Sequence, residues 1–220
     1  DRVLGGGIVP GAVVLLAGEP GVGKSTLLLD VAAKTAAVAR ERGDGPVLYV
    51  TGEESASQVR LRAERIDALD PGLLLAAETE LGALLGHVEA AGPSLLVVDS
   101  VQTIASAQVE GSAGGVTQVR AVAGALIAVA KERNIPVLLV GHVTKDGGIA
   151  GPRVLEHLVD VVTQFEGDRH ARLRLLRAVK NRYGPTDEVG CFDLGERGIV
   201  GLADPSGLFL SAARSEVPGT

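Results

Sequence analysis

Aromatic side chains are nearly missing from this chain of 220 residues, which has two Tyr, three Phe and no Trp. The core must therefore come from Val, Leu, Ile and Ala, within a hydrophobic content of 46%. Cysteine occurs once, at Cys191, which excludes a disulfide framework and any cysteine-rich zinc site within these residues. No apolar run approaches the roughly 18 residues of a membrane span. The N-terminus lacks a signal-peptide layout, so the expected compartment is the cytoplasm. Positive charge is not in excess. A formal net charge of −6 argues against a generally sticky nucleic-acid binder, although local basic patches can still meet a phosphate backbone. There is no internal repeat and no low-complexity segment. The length suits one α/β domain with a substantial core.

What is present is a strand, a glycine loop and a helix in succession. Gly18-Glu19-Pro20-Gly21-Val22-Gly23-Lys24-Ser25-Thr26 fits G-x-x-x-x-G-K-[ST] at every required position. The apolar run Val13–Ala17 before it reads as a buried parallel strand. Thr26 to Val38 after it, without Gly or Pro, reads as a helix. Glycines 18, 21 and 23 let the backbone turn its N–H groups toward phosphate oxygens. A helix starting near Lys24 adds the positive end of its dipole. Lys24 is placed to reach the β and γ phosphates, and the Ser25 hydroxyl to sit on Mg²⁺. The expected ligand is a nucleoside triphosphate.

Taken in order, the chain opens on a turn-rich lead, Asp1–Gly11, whose abrupt start suggests a domain cut from a longer protein. After the breaker cluster Gly43-Asp44-Gly45-Pro46, Val47–Thr51 reads as a second strand. Ser55 and Gln58 form a capping box opening a helix through about Ile66. Leu73–Ala76 is a third strand, and Thr79 the cap of a helix from about Glu80 to Ala91. Leu95–Asp99 is a buried strand. Thr117–Arg133 is a long helix after a loop containing Gly111, Gly114 and Gly115, and Val137–Val140 another strand ending at Gly141-His142. Beyond residue 145 the rhythm changes. Val159–Glu166, Arg172–Val179, Glu188–Leu194 and Ile199–Leu202 look like antiparallel strands. The expected class is α/β: a mainly parallel sheet, helices on both faces, and an antiparallel extension at one edge. Residues 1–210 form the domain in this reading, and 211–220 a frayed tail.

Several residues could carry chemistry. Asp99 ends a strand where open α/β sheets place ligands, and a carboxylate there can hold Mg²⁺ together with Ser25; a helix-capping aspartate is the bland alternative. Glu53 and Glu54 follow the second strand, and Glu53 is the better group to polarise an attacking water. Glu54 precedes the Ser55 cap and could serve that helix's dipole instead. His142 is a third candidate, for sensing the γ-phosphate. Arg169, Arg172, Arg174, Arg177, Lys180 and Arg182 crowd one late stretch, most of which reads as the solvated face of an edge strand. Its end, Lys180-Asn181-Arg182, could present cations to a neighbouring subunit's phosphates. Arg120, Lys145 and Arg153, in or beside glycine-bounded loops, are candidates for single-stranded DNA contact.

Those motifs also carry a resemblance. Asp1–Gly11 resembles the lead-in of RecA-like ATPases. Gly18–Thr26, Tyr49-Val50-Thr51-Gly52-Glu53-Glu54-Ser55 and Val98-Asp99-Ser100-Val101-Gln102-Thr103 are similar to the bacterial DNA-repair ATPase family RadA (Sms). Gly141–Gly147 is similar to its second DNA loop. Lys180-Asn181-Arg182-Tyr183-Gly184 is similar to its K-N-R-F-G box, with Tyr183 in place of Phe, a change that keeps an aromatic ring. The resemblance implies a RecA-type fold, hydrolysis of ATP with Mg²⁺, and a hexameric ring around single-stranded DNA in recombination and branch migration. Recombinase or replication proteins are implied partners. It also implies Glu53 as catalytic glutamate, Asp99 as the Walker B carboxylate, and Lys180 and Arg182 acting across a subunit interface. The family's four-cysteine zinc ribbon and Lon-like domain are not in these residues. Two other readings fit the loop. One is a clock-protein-like ATPase or kinase acting on protein, and the other a nucleotide-switched interaction module with little turnover.

Overall fold

Apolar runs bounded by glycine and proline give short buried strands, and the longer Ala- and Leu-rich segments between them give helices. The computed structural model describes residues 1–142, 152–168 and 171–203. In chain order these form β1 (Val13–Gly18), α1 (Lys24–Arg42), β2 (Val47–Thr51), α2 (Ala56–Arg65), β3 (Leu73–Ala77) and α3 (Leu81–Ala91). Then come β4 (Leu95–Asp99), α4 (Val116–Arg133), β5 (Val137–His142), β6 (Val161–Glu166), β7 (Leu173–Asn181), β8 (Val189–Gly195) and β9 (Gly198–Leu202). All strands share one sheet, ordered β3-β2-β4-β5-β1-β6-β7-β8-β9. From β3 to β6 every pairing is parallel, and from β6 to β9 every pairing is antiparallel.

Alternate residues of each central strand feed two different cores, as a period of two requires. Val13, Leu15, Leu48, Val50, Leu96, Val98, Val137 and Leu139 pack with Leu84 and Val88 of α3 and Val119, Val122 and Leu126 of α4. Val14, Leu16, Val47, Tyr49, Leu95, Val97, Leu138 and Val140 pack with Leu27–Leu29 and Ala32 of α1 and Val59 and Ala63 of α2. Helices therefore cover both faces. Ile199 of β9 joins the α1–α2 core, so the antiparallel extension curls over that face.

Three sequence expectations need correcting. Val159–Glu166 does not lie wholly in the antiparallel group, because β6 pairs parallel with β1 (Val14↔Val161 to Ala17↔Gln164) and is antiparallel only to β7. The basic strand is not at the sheet edge, since β8 and β9 lie beyond β7. The cap of α3 is Glu80 rather than Thr79. The Glu80 carboxylate accepts from the Ala83 N–H at 2.7 Å, whereas the Thr79 carbonyl is engaged by the Ala105 N–H at 2.8 Å. That pairing keeps the chain extended one residue further than the Thr cap would allow. The capping box of α2 forms as expected, with Ser55 and Gln58 satisfying each other's backbone N–H groups.

Candidate active site

Parallel strands that all run one way deliver their carboxyl ends to one edge of the sheet. The register places Gly18 beside His142 and Thr51 beside Asp99. Gly52 N–H donates to the Asp99 carbonyl at 2.9 Å, which continues the β2–β4 ladder one step beyond the strand. Lys24, Glu53, Asp99, Ser100 and His142 thus come from four neighbouring strand ends.

The phosphate loop needs glycine at two places for distinct reasons. A Cβ on Gly18 would lie 2.5 Å from the Phe165 carbonyl, a contact that no other residue could make. Gly23 has φ of 106° and immediately precedes α1, so it turns the chain into the helix through a region L side chains rarely adopt. Lys24 is buried, and its Nζ donates to the carbonyls of Gly18 and Glu19 at 2.8 and 2.9 Å. Burial lowers its pKa to about 8, partly offset by the charges of Asp99 and Glu53. A cation folded onto the loop's own carbonyls, beside two carboxylates, suits a loop built to take phosphate, since phosphate oxygens can replace those carbonyls.

Asp99 is buried and accepts the Tyr49 hydroxyl at 2.7 Å. Burial, followed by the adjacent Asp99 charge and hydrogen bond, raises the Tyr49 pKa well above its ordinary value. Tyr49 therefore stays a neutral donor that fixes the Asp99 carboxylate. The sequence reading missed this role, although Tyr49 lies on β2 opposite Val97 with its ring on the α1–α2 face, near enough to suggest it. Asp99 does not cap a helix: only a short 3-10 turn follows, Val101–Thr103, whose cap residue is Ser100. Among the described residues no group of three or more His, Cys, Asp or Glu is arranged for a metal. That does not count against Mg²⁺, which in nucleotide sites usually takes only one or two protein oxygens and completes its shell with phosphate oxygens and water.

Glu53 and Glu54 diverge. Glu54 pairs with Arg62 of α2 at 2.5 Å, and its backbone N–H donates to the Thr51 hydroxyl at 3.1 Å. Glu53 remains 46% exposed at its side chain and points into the cluster. It accepts from the Ser100 hydroxyl at 2.9 Å, and His142 Nε2 lies 3.0 Å from the same Oε1. The imidazole is not aligned as a hydrogen bond to that oxygen, and among the described residues neither of its ring nitrogens has a hydrogen-bond partner. Gln102 ties the two strand ends together by donating to the His142 carbonyl at 3.3 Å.

The remaining candidates lie elsewhere. Lys180 and Arg182 sit at the opposite end of the sheet, because Asn181 pairs with Val161 and Val161 with Val14 near the start of β1. Lys180 Nζ donates to the carbonyls of Glu156 and Val159, each at 2.8 Å, and burial, then the Arg182 charge, lowers its pKa. Arg182 Nη1 is 3.0 Å from Asp160 Oδ1. Arg120 in α4 and Arg153 in a 3-10 turn are exposed. Lys145 lies outside the described residues. The loop before α4 is organised by a residue the sequence reading passed over: buried Gln118 accepts from the Ser106 N–H and donates to the carbonyls of Ser106, Val109 and Gly111.

A glycine phosphate loop on β1, a carboxylate on β4 and a sheet of this order define a RecA-like P-loop ATPase. The chain belongs to the AAA domain family, which matches residues 1–148. It is 57% identical over 222 residues to a DNA repair protein RadA of Mycobacterium tuberculosis, and 51% identical over 210 residues to one of Streptococcus pneumoniae. These alignments cover 100% and 96% of this chain but 45% and 49% of the relatives, so the chain spans about half their length. The resemblance to the RadA ATPase domain therefore holds along nearly all of these residues. Among solved structures, the RadB recombinase superposes with a TM-score of 0.63 at 23% identity, covering 90% of this chain and 94% of that one. A KaiC-like protein of Pyrococcus horikoshii OT3 superposes at 0.69 and 22% identity, covering 92% and 94%. Both show the fold alone.

Proposed function

We propose that this chain is the motor domain of a DNA-dependent ATPase of the RadA type, coupling ATP hydrolysis to movement on single-stranded DNA during recombinational repair and branch migration. The observation that supports it most is the meeting of Lys24, Asp99 and Glu53 at one sheet edge, with Glu54 diverted to Arg62. In this reading the backbone N–H groups of Gly18–Thr26, Pro20 excepted, and the Lys24 side chain bind the β and γ phosphates, while Ser25 and Asp99 hold Mg²⁺, which neutralises charge on the transferred phosphoryl group. Glu53 takes a proton from the attacking water and is held in place by Ser100, with the His142 ring beside it. Lys180 and Arg182 serve the site of the next subunit in a hexameric ring, and the working compartment is the cytoplasm. Recombinase or replication proteins are the partners such a motor would meet.

ATP turnover with and without single-stranded DNA tests this. Stimulation by DNA, abolished in Lys24→Ala, is the expected result. Turnover retained in Lys24→Ala would remove the loop from the mechanism. DNA binding by a net-acidic chain should rest on few cations and weaken steeply with salt. Charge reversal at Arg120, Lys145 or Arg153 should weaken it further while leaving basal hydrolysis intact, and unchanged affinity in all three would move the DNA path elsewhere.

A further inference from the structure

Arg174 belongs to the basic run but does not face solvent, being 3% exposed. Its Nε donates to the Val22 carbonyl in the phosphate loop at 2.8 Å. Its Nη1 donates to the carbonyls of Asp168, Ala171 and Leu173 at 2.9, 2.6 and 2.9 Å. One side chain therefore ties the turn between β6 and β7 to the middle of the loop. Nη1 grips the turn, its two hydrogens shared among the three carbonyls, and Nε reaches the loop. Only a guanidinium offers rigid donors in both directions without losing its charge.

The Val22 carbonyl and the Gly23 N–H belong to one peptide group. A planar trans peptide points its C=O and N–H in opposite directions, and this peptide is trans. With the carbonyl held toward Arg174, on the side of the β6–β7 turn, the Gly23 N–H is held toward the opposite, ligand-facing side of the loop. Rotation of that peptide would turn a carbonyl dipole onto a phosphate oxygen. Gly23 permits such rotation more readily than other residues do, so something outside the loop has to prevent it. We propose that Arg174 is a positioning residue of the nucleotide site, which presets the Val22–Gly23 peptide with its N–H toward the phosphates. The role rests on the reading of Gly18–Thr26 as the nucleotide loop, and it concerns phosphate recognition rather than the base or sugar.

The test compares ADP, by calorimetry, with adenosine, by ligand-observed NMR, on the wild-type chain, Arg174→Met and Arg174→Lys, each checked for folding by circular dichroism and melting. Arg174→Met should weaken ADP about tenfold, the worth of one charge-assisted hydrogen bond, and leave adenosine unchanged because adenosine has no phosphate. Arg174→Lys keeps the charge and can serve the turn, but has no second donor aimed at Val22. It should weaken ADP at least about threefold with the same indifference to adenosine. If Arg174→Met fails to fold, the Lys variant decides the matter. ADP affinity reduced by less than about threefold in a folded variant overturns the proposal. So does a parallel loss of ADP and adenosine, which would mean general distortion of the site. A wild-type chain that binds no ADP at all would instead overturn the nucleotide reading itself.

Discussion

Glu53 and Glu54 are adjacent in sequence and equivalent in composition, and the structure separates them by what each one touches. Glu54 is neutralised by Arg62 at 2.5 Å, whereas Glu53 accepts from Ser100 and faces the site. Glu53→Gln keeps the shape and the Ser100 contact but removes the basic oxygen. It should bind ATP normally and lose about 10²-fold or more in turnover, the usual worth of a positioned general base. Glu54→Gln should cost much less, and the reverse order in single-turnover assays would exchange the two roles. Lys24 yields a second expectation. Burial lowers its pKa to about 8, so at pH 9 most of the population is neutral. Phosphate charge favours the cation, so nucleotide binding raises that pKa and draws a proton in. Calorimetry of ADP binding in two buffers of different ionisation enthalpy should show proton uptake near pH 9. Uptake should fade toward pH 7, where the lysine is already protonated in both states, and vanish in Lys24→Met. Equal heats in both buffers at pH 9 would contradict it. Arg174 marks the limit of sequence legibility at this scale. Alternating charge suggested a wet face, yet Arg174 shares its strand face with Leu176 and buried Ala178, the one pattern that could have placed it inside.

At the scale of elements, the strands and helices flanking the phosphate loop were legible because each carries a local cause. Glycine and proline clusters end them, and the Ser55–Gln58 box opens α2 where the sequence says it should. The direction of β6 was not legible. A parallel neighbour is normally announced by a crossover helix. Among the described residues between β5 and β6 there is only the 3-10 turn Pro152–Val154. What anchors β6 instead is Asp160, a buried carboxylate just before it. Asp160 accepts the Val13 N–H at 2.9 Å and Lys131 Nζ at 2.7 Å on one oxygen, and Arg182 at 3.0 Å on the other. Burial alone would raise its pKa, but Lys131, the Val13 N–H and Arg182 outweigh that and hold the carboxyl below its usual value. A lowered carboxyl pKa gives stability that is present above the unfolded value and lost as pH falls through the folded one. Asp160→Asn should therefore destabilise by about 1–3 kcal/mol, on the scale of hydrogen bonds to charged groups. Urea melts should show the same deficit at pH 5 and pH 8, both above the window. A deficit that disappeared at pH 5 would point to a different titrating group.

If Lys180 and Arg182 act on a nucleotide, as proposed, a single copy cannot bring them to it. The phosphate loop lies at the carboxyl end of β1, while Lys180 and Arg182 lie beside its start, since Asn181 pairs with Val161 and Val161 with Val14. From Val14 to Gly18 a strand rises about 13 Å, at roughly 3.3 Å per residue, and the cations hang from the far end of that rise. Both are also engaged within the chain, Lys180 by two carbonyls and Arg182 by Asp160. They cannot serve their own nucleotide, but a neighbour in a ring could present them to the next site once Arg182 leaves Asp160. Such a cation can be worth about 10³-fold or more in rate. Arg182→Ala should therefore bind ATP nearly as wild type does and hydrolyse it poorly. Mixing with Lys24→Ala makes the stricter test, because in the proposed ring a mixed assembly would pair an intact phosphate loop on one subunit with an intact Arg182 on its neighbour. Two inactive proteins should then recover activity together, rising to a maximum at intermediate ratios. Subunit exchange has to be shown in the same tube, by energy transfer between labelled copies. With exchange demonstrated and no recovery at any ratio, Arg182 would be confined to its pairing with Asp160, a stabilising contact at the base of the sheet.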